Sequence, residues 1–495
     1  MRNACRPWTC VLAVLVVFCV AEETPAGEKS PQTNVVLIIT DNQGAWTLGC
    51  YGNPDIQTPH IDQMAREGIR FTRAFSSNAV CSPTRATVLT GLIPSQHGVH
   101  SYLRKQPIQM GPDAYCVISE FPTLPKILAQ RGYRCGLVGK WHLGNNLKPQ
   151  IGFTDWITMP HGATSTFYDA EVIENGQVRR EPTYLTELWT QHAVSFIEQN
   201  RQRPFFLFLS YNGPYGLGNL LLRPSRNQHQ TFYADKRLPS FPRGEMHPWL
   251  YNNKKYFNNI NAIRRYAAEA SAVDDGVGRV LAALKKNGLD EQTLVLFLAD
   301  QGWAGGQHGI WGMGDHTRPI HAFDSTMHIP LIFRHPGSIP PQQTSDRLVA
   351  NYDLLPTLLG YLGNENPRTT IGNSPGRDFS KILLGRTIEW DDVAYYEYEN
   401  TRAIRTAAWK YVHRVPSGPH ELYRLTDDPG EQFNLYGQPT CEAIQTSLRQ
   451  RLEKFFDRYA DPQYDLWRGG RSKPLLLLNN KHRLTLDKNE SGDHG

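Results

Sequence analysis

The 495-residue sequence has no run of basic residues and no motif that interleaves basic with aromatic side chains. With a formal charge of only +5, that absence excludes a nucleic-acid interface; the positive excess belongs to solvated surface and favours anionic substrates at most. Long apolar runs are missing too. Beyond residue 20 none is long enough to cross a bilayer. No internal repeat is apparent, which removes the repeat architectures. Cysteine is sparse, eight in all, and its pairing cannot be assigned from sequence. What remains is ordinary for a soluble globular protein: 40% apolar and 20% charged residues, in a chain long enough for one large domain and a smaller one.

The first residues stand apart. Arg2 and Arg6 precede an apolar run over 11–20 that is short for a membrane span. Cys19-Val20-Ala21 then offers small residues for signal-peptidase cleavage after Ala21. Bulky Phe18 disfavours lipoprotein processing at Cys19, and an uncleaved anchor is the alternative. The expectation is an exported protein, periplasmic or secreted, with residues 1–21 removed and no stable membrane span. Five cysteines then remain, at 50, 81, 116, 135 and 441, an odd number that leaves at least one outside any disulfide.

Apolar runs bounded by turn signals lie at 35–40, 137–139, 205–209 and 294–299. Amphipathic helical patterns alternate with them at 59–67, 123–131, 185–199 and 266–286. Fully apolar strands separated by helices predict an α/β fold, a mostly parallel sheet with helices on both faces. The stretch 219–261, rich in Arg, Pro, Asn and aromatics, reads as a long insertion near the substrate mouth or as a surface loop. After about 385 the pattern changes to short strands at 393–398, 402–406, 410–414 and 421–425 and a helix over 441–459. The expected organisation is a large domain over 22–385, a small C-terminal antiparallel-sheet α+β domain over 386–475, and a tail over 476–495.

In open α/β sheets, ligands collect at the carboxyl ends of the strands. Two strands end there on Asp41-Asn42 and Asp300-Gln301, an all-oxygen set that suits calcium or magnesium better than zinc. A lone Asp after a strand more often caps a turn; the pairing of two such ends is what makes the set a metal candidate. A third strand delivers Lys140-Trp141-His142, able to hold an anion and exchange a proton, or else merely a surface lysine beside a packed histidine.

Between these lies Cys81-Ser82-Pro83-Thr84-Arg85, with Thr90-Gly91 following. As bare sequence it is a cysteine before a helix whose early turn suits Pro83. It also resembles, at every constrained position, the signature of the type I sulfatases. Residues 132–142 resemble that family's second signature, with Cys135 where Ser or Thr is usual. Residues 34–52 resemble its metal-bearing first strand, and 422–434 a box of its C-terminal domain. The resemblance implies an alkaline-phosphatase-like sheet and oxidation of Cys81 to formylglycine by a formylglycine-generating enzyme. It further implies a cation, Ca2+ or Mg2+ in its place, held by Asp41, Asn42, residue 81, Asp300 and Gln301.

The departures are specific. Asn42 replaces a second Asp, and Gln301 an Asn or His; both keep an oxygen available. Asn212-Gly213-Pro214-Tyr215 stands where many relatives have Asn-x-Pro-His, and Met313 where His308-Gly309-Ile310-Trp311-Gly312 should be followed by Lys. The family's sulfate-binding His and second Lys are therefore missing, and His316 and Arg318, just downstream, are the candidate replacements, with Tyr215 and His308 next in line. The implied mechanism is sulfate-ester hydrolysis. Hydrated formylglycine attacks sulfur while the cation, Arg85 and Lys140 neutralise the sulfate oxygens; His142 then deprotonates the remaining hydroxyl and sulfate is expelled. The expected substrate is a sulfated carbohydrate or another small sulfate ester, with aryl sulfates as artificial substrates. Competing readings are a formylglycine phosphodiesterase or phosphonate monoester hydrolase, and a non-catalytic glycan-binding protein.

Overall fold

The computed structural model describes Met1 and residues 32–104 and 107–478. The signal peptide expected over 1–21 and the end of the tail lie outside the described residues. Described residues from Thr33 onward form one compact unit. No helix among them is long and apolar enough to cross a membrane.

The strongest apolar runs become central strands because both of their faces are covered. Along β1 (Asn34–Asp41), Val35, Leu37 and Ile39 enter one core layer and Val36 and Ile38 the other. This period-2 alternation continues in β7 (Phe205–Pro214) and β8 (Thr293–Ala299). One layer is closed by the helices Leu185–Gln199 and Ile260–Lys286, through residues such as Trp189, Phe196 and Val277. The other is closed by Cys81–Thr90, Leu124–Gln130 and Leu354–Tyr361, through Val88, Leu128 and Leu355.

The remaining strands of the sheet are β2 (Ile69–Phe75), β3 (Arg134–Gly139), β4 (Asp155–Thr158), β5 (Ala170–Glu174), β6 (Gln177–Glu181), β11 (Leu331–Arg334) and β12 (Gln343–Ala350). Short β9 (Ala304–Gly305) and β10 (Trp311–Gly312) pair only with each other. The ten-stranded order is β12-β2-β11-β8-β1-β7-β3-β4-β5-β6. Following the pairings across it, only β11 and β5 run against the rest. The mostly parallel sheet is as the sequence predicts; β2, β4–β6, β11 and β12 are additions that short or polar segments did not signal.

After residue 390 the chain forms the antiparallel sheet β13 (Val393–Tyr398), β14 (Thr401–Thr406), β15 (Trp409–Arg414) and β16 (Glu421–Arg424), followed by the helix Glu442–Tyr459. Buried charge fastens it to the large sheet. Lys410 lies 2.8 Å from Asp324 and 2.7 Å from Glu431, and Arg405 is 3.2 Å from Asp324. The 219–261 insertion has little regular structure, yet it is anchored by buried Leu220, Tyr233, Leu238, Phe241, Leu250 and Tyr256.

Candidate active site

The ends of β1, β8 and β3 and the start of the Cys81–Thr90 helix meet in one fully buried cluster. Cys81 Sγ lies 3.5 and 3.7 Å from the two oxygens of Asp41. One ligand atom each from Asp41, Cys81 and Asp300 lies within 4.8 Å of the others. Arg85, one turn into the helix, donates to Asp300 Oδ2 from Nε and Nη2 (3.1 and 2.9 Å) and to Ser210 Oγ and the Lys140 carbonyl from Nη1 (2.6 and 2.9 Å). Lys140 Nζ donates to Asp41 Oδ2 and stands 5.5 Å from the centre of the Tyr215 ring. β3 delivers Lys140 this deeply because Gly139 (φ +104°) passes close to β7, where a Cβ would lie 1.9 Å from Ser210 O.

Two carboxylates, Asp41 and Asp300, face two cations, Lys140 and Arg85, out of water. Burial, and then the charge of Asp41, hold the Asp300 carboxyl above its ordinary value. The same two causes push the Cys81 thiol far up, so it carries no thiolate at neutral pH. Burial works to lower Lys140 and Arg85, but the neighbouring anions hold both above their usual ranges.

Gln301 tests the cluster as a cation site. Its Nε2 faces acceptors, Asp41 Oδ1 at 3.4 Å, Cys81 Sγ at 3.5 Å and Met313 Sδ at 2.9 Å, while its Oε1 is buried with no partner. Exchanging the two ends of the amide aims that orphaned oxygen at the space between Asp41 and Cys81, where a cation would satisfy it. Asp41, Asp300 and Gln301 thus fit a hard divalent cation. Asn42 differs from the expectation. Its Oδ1 accepts the Gly216 N–H at 2.7 Å and its Nδ2 faces Asp41 at 3.3 Å, so its oxygen is engaged in holding the loop after β7.

His142 is buried beside Lys140. Its Nε2 lies 2.7 Å from Leu103 O; a carbonyl can only accept, so Nε2 carries the proton and Nδ1 is an acceptor, buried without a partner. Burial, then Lys140, hold its basicity well below the usual imidazole range. Ser82, at an unconstrained position of the cysteine motif, locks this arrangement by donating to His142 O (2.9 Å) and accepting from Leu103 N (3.0 Å). Gly162 completes it, since a Cβ there would lie 1.9 Å from the His142 ring.

The downstream candidates separate. His316 is buried, and its Nδ1 accepts the Met313 N–H at 2.9 Å and lies 3.1 Å from Asp315 Oδ1, leaving Nε2 as its free face. Tyr215 donates its N–H to Asp41 O and lies under Lys140, within the cluster. Arg318 donates from Nη1 alone to the carbonyls of Asp315 and Thr317 (2.6 and 2.8 Å), which clasps its own loop. His308 stacks on Phe323 with centroids 3.9 Å apart and lines a different cavity with Trp249, Tyr423 and Glu431. Among the described residues no hydrogen bond or ion pair joins it to Cys81.

Sequence reasoning missed Ser82, Ser210, Tyr102 and Asp315. Half-buried Tyr102 has its hydroxyl held protonated by burial and then by the charge of Asp315. Asp315 itself is buried, and its Oδ1 accepts no hydrogen bond. Only proximity to the motifs could have signalled either.

A family model described as Sulfatase matches residues 33–364, and one described as N-sulphoglucosamine sulphohydrolase, C-terminal, matches 309–458. Among curated relatives, an N-acetylglucosamine-6-O-sulfatase of Bacteroides thetaiotaomicron is 26% identical over 97% of this chain and 95% of its own. An ulvan-active sulfatase of Formosa agariphila is 27% identical over 91% and 87%. A solved structure described as a complex with its substrate D-glucosamine-2-N,6-O-disulfate superposes with a TM-score of 0.69 at 25% identity, over 86% of this chain and 98% of the other.

Proposed function

This chain belongs to the sulfatase family, hydrolases of sulfate esters, and from that premise we propose that it desulfates a carbohydrate through a formylglycine made from Cys81. The observation that carries the reading is the burial of Cys81 against Asp41 and Asp300 with its thiol held protonated. A cysteine so placed is a poor thiolate nucleophile, whereas one hydroxyl of an aldehyde hydrate would be held as the attacking alkoxide by a bound cation. The hydrate supplies two hydroxyls on one carbon, one to attack sulfur and one whose deprotonation expels sulfate and restores the carbonyl. The names of the relatives support a sugar sulfate as substrate.

Asp41, Asp300, Gln301 and the oxygen at position 81 would hold a calcium ion, or magnesium in its place, which supplies neutralisation of the sulfate oxygens. Arg85 keeps Asp300 oriented through its paired donors, and Lys140 brings a second positive charge to the reacting centre. His142 Nδ1 is the proton acceptor, its tautomer fixed by the Nε2–H bond to Leu103 O. His316, acting as the imidazolium with its Nδ1–H turned to Asp315 Oδ1, 3.1 Å away, in place of accepting the Met313 N–H, is the residue assigned to protonate the leaving alcohol through Nε2. The basic start and short apolar run at the N-terminus support export.

The test pairs peptide mass spectrometry at residue 81 with turnover of a panel of defined sulfated sugars, aryl phosphate diesters and phosphonates. Aldehyde or hydrate at 81 with preference for a sugar sulfate is the expected result. An active preparation with unmodified Cys81 throughout, or preference for the phosphorus substrates, overturns it.

A further inference from the structure

The helix Glu442–Tyr459 turns one face toward Val393 and Tyr395 of β13 and the segment 352–377, and together they line an open cavity of about 630 Å³. Ser447, Gln450, Arg451, Lys454, Phe455 and Arg458 line it from the helix, a spacing of threes and fours that defines a single helical face. Arg368, Arg377 and Asp391 face them from the other wall. The lining therefore holds five basic residues and one acid. Arg451 pairs with Asp391, and Arg377 is neutralised by buried Asp353 at 2.9 Å. Arg368, Lys454 and Arg458 are exposed and have no carboxylate partner among the described residues.

The helix's own acids do not relieve this charge. Glu453 pairs with Arg449 and Asp457 with Arg468, outside the lining. Keeping three unpaired cations around one concavity costs mutual repulsion that a bound anion removes. The stacked Tyr395–Phe455 pair, centroids 3.7 Å apart, and Tyr459 add flat apolar surface beside the charges.

We propose that this cavity is an exosite for an anionic polysaccharide, gripping sulfate or carboxylate groups of a chain whose other sulfate is hydrolysed at residue 81. The inference rests on the carbohydrate reading above. Tyr352, in the cavity wall, abuts Gly91, the C-cap of the helix that begins at Cys81. Ten helical residues separate the two ends by about 15 Å, so the group held here is not the one being cleaved.

The experiment reverses two exposed charges, Lys454→Glu with Arg458→Glu, and compares a control that reverses two charges outside the cavity, Arg424→Glu with Arg449→Glu. Retention on immobilised dextran sulfate is measured against NaCl concentration, with uncharged dextran as blank. KM is measured for a polymeric and for a monosaccharide sulfate. The cavity variant should elute at lower salt than the control and raise KM for the polymer on the order of 5–30-fold, with monosaccharide turnover unchanged. If the reversal disturbs folding, Lys454→Gln with Arg458→Gln tests the same charges more gently. Equal elution of cavity and control variants, or an equal effect on both substrates, overturns the exosite. Charge-dependent retention without turnover of any sulfated sugar would instead retire the substrate reading and leave the binding site standing.

Discussion

At the scale of single residues, His142 is the group whose state the structure defines most closely. Leu103 O fixes its proton on Nε2, and burial keeps it neutral well into the acid range, so Nδ1 is available as a base at neutral pH. His142→Ala should lower kcat by about 10²–10⁴-fold with little change in KM, since the residue meets a proton rather than the bound sugar. Unchanged kcat in a folded variant would exclude it as the base. His316 calls for a different comparison. An alkoxide leaves a sugar sulfate poorly without protonation, whereas nitrophenolate leaves readily. His316→Ala should therefore depress turnover of sugar sulfates by about 10²–10⁴-fold and spare activated aryl sulfates. Loss on both substrates would make it an anion-binding residue, and loss on neither would leave it a loop support through Met313 N–H.

At the scale of elements, the C-terminal sheet is held to the large one by a buried ion cluster centred on Lys410, whose side chain is 3% exposed. Removing the cation leaves Asp324 and Glu431 facing each other with only Arg405 to compensate. Lys410→Met should cost roughly 3–5 kcal/mol, read as a lowered Tm; an unchanged Tm would mean the sheet is held by its apolar contacts alone. The same cluster sets an acid limit. Burial works to raise Asp324, but Lys410 and Arg405 hold it down to about 2, against an ordinary 3.8. A depressed carboxyl contributes stability in full above its unfolded value, and that contribution is lost as pH falls through the folded one. Tm should fall between about pH 4 and pH 2 in the native protein, and less steeply in Asp324→Asn. The elements legible in the sequence were those whose pattern is local and strong: the apolar runs of β1, β7 and β8, and helices with a regular stripe. β2 carries two arginines and β12 begins on polar residues; each earns its place by pairing with its neighbours rather than by its own composition.

At the scale of the whole molecule, the site is legible to the extent that it hangs on strand ends and one motif. Asp41, Asp300, Lys140 and Cys81 converge because parallel strands deliver their carboxyl ends to one edge, a consequence of topology that sequence pattern already implies. What could not be read is orientation: Asn42 turning its oxygen to Gly216, Arg318 closing on its own loop, and His308 leaving for the aromatic cavity all depend on backbone geometry of the connecting loops. A cation bound at this convergence should add to the fold's stability. Without one, two buried carboxylates share a small volume with only Lys140 and Arg85 to compensate, and Gln301 keeps an unsatisfied oxygen. A ligand that binds only the folded state stabilises it by mass action, about 4 kcal/mol at a thousand times its dissociation constant. Chelation should therefore abolish sulfatase activity and lower Tm, and calcium, or magnesium in its place, should restore both in a concentration-dependent way. Zinc, which prefers nitrogen and sulfur ligands, should not. Asp41→Asn removes one of the two buried charges, so this variant should lose most of the calcium-dependent rise in Tm. A full rise retained in Asp41→Asn, or recovery with zinc alone, would place the metal somewhere other than this cluster.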